Sequence, residues 1–215
     1  MTESTKDRIL TQSLGYFVQN GFKETRVEDL ADFIGITKKT IYNHFDSKQE
    51  LLYASVEHDV DITIQKVESL LSDNSISYGD RLGILFFIAY YKIEERKKLF
   101  PDIDSPFKAT GKILSRLMTR IQSELLKFIT LLITNGISVN YFRSDLNIEC
   151  TSSMILSMLI GIPSYNFNAI KPTNPNQLIL ESVKTIVRGV TTELGFEAFN
   201  PKQIEPFYKQ WLAEN

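Results

Sequence analysis

The chain is poor in the side chains that build many catalytic and metal centres. Its 215 residues include one cysteine, Cys150, and two histidines, His44 and His58. A single cysteine excludes an intrachain disulfide and any metal site that needs several thiolates. We therefore expect Cys150 to be a small buried residue in a reducing compartment, and His58 to be a surface residue. Since the sequence also lacks a Gly-rich phosphate loop and a nucleophile-elbow motif, it predicts no catalytic residues, metal, cofactor or enzyme activity.

Long apolar runs are missing as well. The longest mostly apolar stretches cover residues 82–91 and 154–163, well short of the ~20 residues that span a bilayer. The residues that follow Met1 are polar and charged, without the apolar core of a secretory signal. These features predict a cytoplasmic protein without membrane contact, in which both stretches form buried helices.

Neither sign of charge is in large excess. The chain has 24 Lys and Arg against 26 Asp and Glu, a net charge of −2. The first 52 residues are balanced too, with seven basic and eight acidic side chains. Overall charge therefore gives no indication of a nucleic-acid partner, and any such contact must come from a local patch.

Helical spacing of apolar residues runs through almost the whole chain, without a convincing period-two alternation, and predicts an all-α fold. A first helix is expected over residues 4–20, ended by Gly21. Thr25 and Glu28 have the spacing of a capping box that starts a second helix. Further helices are expected over about 48–71, 77–98, 111–139, 148–166, 175–195 and 201–213. The predicted organisation is a three-helix head over 1–47 and a helical body over 48–215, joined by a connecting helix at about 48–71.

The third helix of the head carries the pattern that points to function. Gly35 allows a tight turn, and Thr37 is placed to cap the helix that follows. Ile41 and Phe45 are four residues apart and point to the core. The side chains that face outward are polar or basic, and residues 37–45 contain no acid. They are Lys38, Lys39, Thr40 and Asn43. Such a helix-turn-helix fits the major groove of DNA, with basic and hydroxyl groups at the phosphates and bases.

Residues 8–52 closely resemble the DNA-binding head of the tetracycline-repressor (TetR) family of bacterial regulators. The resemblance is carried by GITKKTIYNHF at 35–45 and by Lys48, Glu50 and Leu51 in the next helix. It implies a DNA-binding transcriptional regulator, usually a repressor. By this resemblance, the residues expected at phosphates and sugars are Thr25, Thr37, Thr40, Tyr42, His44 and Lys48. The residues expected near bases are Lys38, Lys39 and Asn43. Asn43 and Arg26 depart from the residues common at their positions, so the operator sequence stays open.

Two of these residues have a second interpretation. Tyr42 is equally well explained as a core residue, and His44 as a structural one.

The resemblance also implies that the body binds a small effector and forms a homodimer. An apolar or aromatic effector is expected in a pocket whose predicted lining is Phe87, Tyr90, Tyr91, Phe100, Phe107, Met118, Phe128, Met154 and Met158. A filled core explains each of these residues as well.

Apolar stripes on two late helices predict the dimer interface, a four-helix bundle of two helices per subunit. Small residues at 153, 157 and 161 allow close approach of the helices. The predicted interface comprises Ile155, Leu159, Ile162, Ile179, Val183, Ile186, Val187, Val190 and Leu194. The expected partners are thus a palindromic double-stranded operator, the effector and a second copy of the chain. The alternative is a dimeric interaction module of the same family without a small-molecule effector.

Overall fold

The computed structural model describes residues 4–99, 112–164 and 174–213. All helices and strands in those ranges are α-helices, and the one β-type contact there is an isolated bridge between Phe142 and Thr191. The all-α prediction is confirmed. Two residues predicted to line the effector pocket, Phe100 and Phe107, lie outside the described residues.

The head begins with α1 (Thr5–Asn20), α2 (Val27–Ile34) and α3 (Lys38–Tyr42). The Ser4 hydroxyl caps α1 by accepting from the Asp7 amide at 3.1 Å. Gly21 and Gly35 end α1 and α2 with φ of 82° and 75°, in the region that favours glycine. The first two helices therefore end where the sequence predicts.

The capping box predicted at Thr25 is wrong. Arg26 is the residue that precedes α2, and it makes no side-chain cap. The Thr25 hydroxyl points back and donates to the Gly21 carbonyl at 2.6 Å. Sequence spacing cannot distinguish these two uses of a threonine beside a helix start, because both satisfy its hydroxyl locally.

A long helix, α4 (Lys48–Ser72), follows the head. Ser47 accepts from the Glu50 amide at 3.0 Å, and the Glu50 carboxylate accepts from the Asp46 amide at 2.6 Å. This reciprocal cap fixes the start of α4 where the sequence predicts it.

The remaining helices are α5 (Tyr78–Leu99), α6 (Lys112–Ser138), α7 (Ile148–Ser164), α8 (Pro175–Val190), α9 (Glu193–Glu197) and α10 (Pro201–Ala213). The single helix predicted over 175–195 is in fact α8 and α9. Thr191 is extended, with φ −84° and ψ 156°, and Thr192 caps α9 by accepting from the Gly195 amide at 3.0 Å. Leu194 therefore belongs to α9 and is 64% exposed.

The described chain divides into two compact units that differ from the predicted division at residue 47. The head unit takes its residues from Met1–Lys66 and Glu95–Ile121, and the body unit from Val67–Glu94 and Gln122–Asn215. In the head unit, Leu99, Leu117 and Met118 join the same buried core as the three head helices. Met118 thus packs in the head unit, which contradicts its predicted place in a body pocket.

The body unit is built around α5, whose residues 84–88 are buried all around the helix. The predicted dimer stripes also belong to its core. Most of the predicted interface side chains are at most 4% exposed in the single chain, namely Ile155, Leu159, Ile179, Val183, Ile186, Val187 and Val190. Ile162 is half-buried. These buried side chains therefore pack within one subunit and do not themselves supply a dimer contact, while the pairing of α7 and α8 between two subunits stays a prediction.

Cys150 also departs from its prediction. It is exposed near the start of α7, not buried. His58 is half-buried on α4.

Candidate nucleic-acid interface

Two buried anchors hold α3 against the rest of the head. Ile41 and Phe45 are 2% and 3% exposed and belong to the head core. The Thr37 hydroxyl accepts from the Thr40 amide at 3.1 Å, and the two hydroxyls lie 2.9 Å apart. The apolar side and the N-terminal cap of α3 are thus satisfied inside the protein, and its other side is free to meet a partner.

The structure leaves most of the predicted DNA-binding residues exposed. Thr37, Lys38, Lys39, Tyr42, Asn43 and His44 are exposed, and Thr40 is half-buried. Tyr42 is 41% exposed, which excludes a pure core role for this ring. Together these side chains offer hydroxyl, amide and ammonium donors over nine consecutive residues that lack a carboxylate. Such a surface suits the phosphates and base edges of a duplex.

Thr25 does not share this exposed surface. Its side chain is 5% exposed, and its hydroxyl already donates to the Gly21 carbonyl. The structure therefore contradicts the predicted phosphate contact of this side chain and shows a residue that closes the turn between α1 and α2.

Lys48 braces that same turn. Its ammonium donates to the Phe22 carbonyl at 2.7 Å and to the Thr25 carbonyl at 2.9 Å, and it lies 4.5 Å from the centre of the Phe22 ring. With the Lys23 carbonyl at 3.4 Å, three carbonyls and one cation–π contact satisfy this ammonium without an anion. In this arrangement Lys48 holds the start of α4 against the loop before α2, and its phosphate contact stays a prediction.

An ion pair between α2 and α3 is the feature that the sequence analysis missed. The Lys38 ammonium lies 2.5 Å from the Glu28 carboxylate, and both side chains are about half exposed. The hydrogen bond from Lys38 lowers the pKa of Glu28, and the same bond raises the pKa of Lys38. Opposite charges on either side of the Gly35 turn were the signal in the sequence, but their ten-residue separation matches no helical spacing.

The predicted effector residues fall into separate environments in the body unit. Phe87 is fully buried, 5.6 Å from the Tyr208 ring, and Tyr91 stacks on Tyr208 at 4.9 Å. Tyr90 meets Tyr91 edge-on at 5.3 Å. Burial, followed by the charge of Glu94, raises the pKa of Tyr90, so this hydroxyl remains neutral. The α10 residue Tyr208 thus fills space beside the predicted aromatic residues, a role that the sequence analysis did not assign to it.

Polar groups complete this aromatic cluster. The Tyr91 hydroxyl donates to the Asn176 side-chain oxygen at 2.7 Å, and the Asn176 amide donates to Glu205 at 3.0 Å. Phe128 is buried and Met158 half-buried, whereas Met154 is 49% exposed on α7. The last observation contradicts the prediction that Met154 lines an internal pocket.

An open pocket of about 340 Å³ lies elsewhere in the body unit, at the junction of α8 and α9. It is lined by Arg188, Thr191, Thr192, Glu193, Phe196 and Glu197. Within the described ranges, no cluster of three or more His, Cys, Asp or Glu side chains could hold a metal ion. The helices of those ranges are also too short or too polar to cross a membrane.

Comparison with known proteins identifies the head. Residues 9–54, which comprise most of α1, α2, α3 and the start of α4, match the family of bacterial regulatory proteins known as the tetR family. The biofilm operon icaADBC negative transcriptional regulator IcaR of Staphylococcus epidermidis is 28% identical over 129 residues, which are 57% of this chain and 68% of IcaR. The transcriptional repressor KstR2 of Mycolicibacterium smegmatis is 25% identical over 148 residues, 68% of this chain and 71% of KstR2. The head of the chain thus belongs to the TetR family.

The TetR fold extends beyond the head. The crystal structure of the transcriptional regulator FadR from Bacillus subtilis in complex with stearoyl-CoA matches with a TM-score of 0.60. This match covers 85% of the present chain and 97% of FadR at 16% sequence identity. The chain therefore has the all-α fold of this regulator along most of its length, as its sequence pattern predicts.

Proposed function

We propose that this TetR-family regulator is a repressor that binds a palindromic operator as a homodimer and is released by a small, mostly apolar effector. The observation that carries the DNA-binding part is the exposed surface of α3. There Lys38, Lys39 and Asn43 are exposed beside the hydroxyls of Thr37 and Tyr42. The names of two relatives, the negative regulator IcaR and the repressor KstR2, support repression over activation.

The dimer follows from the symmetry of a palindrome, since two heads must reach half-sites about one helical turn apart, ~34–36 Å. The outer faces of α7 and α8 are the proposed contact surface. On α7, Ser153, Met154 and Ser157 are exposed, and on α8, Leu178 and Thr185 are exposed. Small side chains allow helices to approach closely, and Met154 and Leu178 supply apolar area that a second copy would bury.

The effector is proposed to bind beside Tyr90 and Tyr91. Their rings offer an apolar surface, and their hydroxyls can fix a few polar atoms of a ligand. Tyr208 of α10 stacks on Tyr91, so an aromatic ligand would take its place. The FadR neighbour, which was crystallised with stearoyl-CoA, supports the capacity of this fold to take a large apolar ligand.

Linkage gives the mechanism. A ligand weakens DNA binding if it prefers a dimer in which the distance between the two heads does not fit the operator. DNA then weakens ligand binding by the same factor. The helix α4 contributes residues 48–66 to the head unit and 67–72 to the body unit. Because it is one continuous helix, it is the proposed lever between effector and DNA.

A salt-titrated DNA-binding assay tests the proposal. Wild type and the variant Lys38→Ala/Lys39→Ala are titrated with a duplex from the promoter region beside the protein's own gene. We expect tight binding by wild type that weakens with salt, and a double variant whose log–log salt slope is shallower by roughly 0.9 for each lost phosphate contact. If wild type binds neither this duplex nor a selected pool of sequences, the proposed function is wrong.

The matched control removes two lysines from the body. Lys127 pairs with Glu124 on α6, and Lys209 pairs with Glu205 on α10; both lysine side chains are more than 60% exposed. The variant Lys127→Ala/Lys209→Ala changes the net charge equally and should leave the salt slope at the wild-type value. A slope that falls equally in both variants would show a general charge effect and would contradict the assignment to α3.

A second candidate function is a dimeric interaction module without an effector. The close packing of Phe87, Tyr91 and Tyr208 favours it, because these rings already fill the place predicted for a ligand. The single tryptophan, Trp211 on α10, gives a fluorescence signal for titration with N-phenylnaphthylamine and with a long-chain acyl-CoA. Saturable binding that also weakens operator affinity supports the repressor, and no binding of either probe supports the module.

A further inference from the structure

The Glu28–Lys38 ion pair places a carboxylate against a side chain predicted to meet DNA. The pair joins the first turn of α2 to the start of α3, with 2.5 Å between carboxylate and ammonium. The same ammonium lies 5.7 Å from the centre of the Tyr42 ring. Lys38 is thus held by a carboxylate on one side and an aromatic ring on the other, and its charge is balanced before any duplex arrives.

This carboxylate affects DNA binding in two ways. A phosphate can recruit Lys38 only if the ammonium leaves Glu28, and the abandoned carboxylate then lies near the negatively charged backbone. The hydrogen bond from Lys38 lowers the pKa of Glu28, so the carboxylate stays ionised through the neutral range. Both effects oppose contacts of Lys38 with phosphates, which any duplex offers whatever its sequence.

We propose that Glu28 restrains Lys38 and thereby suppresses the binding of arbitrary DNA. Lys39 is then the unrestrained lysine of α3, and Lys38 is released only when a contact with a correct base replaces its contact with Glu28. This inference rests on the proposed function, since it assumes that α3 meets DNA. It assigns to an acidic residue of α2 a role in the specificity of the site. A protein searching a genome gains from such a restraint, because non-specific sites vastly outnumber the operator.

The chain offers a matched control for this role. Asp29 is the other acid in the first turn of α2 and is also exposed. Replacing Glu28 or Asp29 by its amide removes one negative charge from the same helix end, with the same loss of favourable interaction with the helix dipole. The ion pair with Lys38 belongs to Glu28, so only one of the two substitutions releases this lysine.

The experiment measures binding to a random-sequence duplex over a range of salt concentrations. The proteins are wild type, Glu28→Gln, Asp29→Asn and Lys38→Ala, and each amide variant combined with Lys38→Ala. We expect Glu28→Gln to tighten binding about fivefold at moderate salt and to steepen the log–log salt slope by roughly 0.9, one phosphate contact. Asp29→Asn should give a smaller gain. In the Lys38→Ala background the gain from Glu28→Gln should fall to that of Asp29→Asn, while the Asp29→Asn gain persists.

The outcomes separate this inference from the proposed function. Unchanged binding by Glu28→Gln, or a gain of equal size with and without Lys38, overturns the inference while DNA binding by wild type stands. If no variant binds any duplex, the proposed function and the inference fail together. Thermal melting of each variant checks that the exposed substitutions leave the fold intact.

Discussion

The helix starts of the head and the packing of the body rest on hydrogen bonds of different range. In the head unit, the hydroxyls of Ser4, Thr37 and Ser47 each cap a helix through an amide three residues away. In the body unit, the Gly79 amide donates to the Tyr141 hydroxyl, 62 residues along the chain. The Asn200 amide donates to the Asp80 carboxylate across 120 residues. Local caps thus fix where these head helices begin, whereas these two body contacts form only after distant segments have met.

The largest expected effect comes from breaking the body core. Phe87 on α5 is fully buried and packs against Tyr91 and Tyr208. We expect Phe87→Ala to lower the free energy of unfolding by about 3–5 kcal/mol, because it leaves a cavity in a closely packed site. Urea unfolding followed by circular dichroism measures this change.

The matched change in the head is Phe33→Ala. Phe33 lies on α2 and is 57% exposed, with its ring 5.0 Å from Tyr16. Its removal should change the free energy of unfolding by less than about 1 kcal/mol. Equal costs for the two variants would show that the aromatic cluster of the body is loosely packed, and would favour an open effector site there.

The same difference in contact range explains what the sequence predicted. Helix bounds in the head follow from local signals, namely Gly21, Gly35 and Thr37, and the structure confirms each of these three. The DNA-binding surface on α3 is the outer side of a helix whose inner side, Ile41 and Phe45, is equally local. Thr25 was assigned wrongly because a hydroxyl can close the preceding turn as easily as it caps the next helix.

The body was harder to predict because a helical stripe does not reveal its partner. The apolar residues of α8, such as Val183 and Val187, have the same spacing whether they face their own core or a second subunit. Only the tertiary structure shows that they are buried within one chain. The break at Thr191 and the stacking of Tyr208 on Tyr91 likewise depend on segments that are far apart in sequence.

A buried ion pair tests a long-range contact inside the head unit. The Arg96 guanidinium of α5 lies 3.5 Å from the Asp59 carboxylate of α4, and their side chains are 9% and 19% exposed. Burial lowers the pKa of Arg96, with the charge of Asp59 opposing that effect. We expect Arg96→Met to cost about 3 kcal/mol of unfolding free energy, since it leaves a poorly solvated carboxylate without its guanidinium partner.

The exposed counterpart of that pair is the control. Arg120 of α6 pairs with Asp61 of the same helix α4 at 2.5 Å, but both side chains are more than 40% exposed. Arg120→Met should cost less than about 1 kcal/mol, and added salt should reduce the cost further. If the two variants cost the same, burial does not set the strength of these pairs, and the ends of α5 and α6 are held to α4 by apolar packing alone.

The smallest effects come from single caps, where the two regions can be compared with the same residue type. Thr37 caps α3 through the Thr40 amide, and we expect Thr37→Ala to cost about 1 kcal/mol. Thr192 caps α9 through the Gly195 amide, but its hydroxyl also donates to the Asn140 carbonyl at 2.8 Å, 52 residues away. Thr192→Ala should therefore cost about 0.5 kcal/mol more than Thr37→Ala, because it also loses the hydrogen bond to that exposed carbonyl. The variants Thr37→Ser and Thr192→Ser keep the hydroxyl and should recover most of each loss in thermal melting. A Thr192→Ala variant no less stable than Thr37→Ala would mean that the body, like the head, is fixed at this point by its local cap.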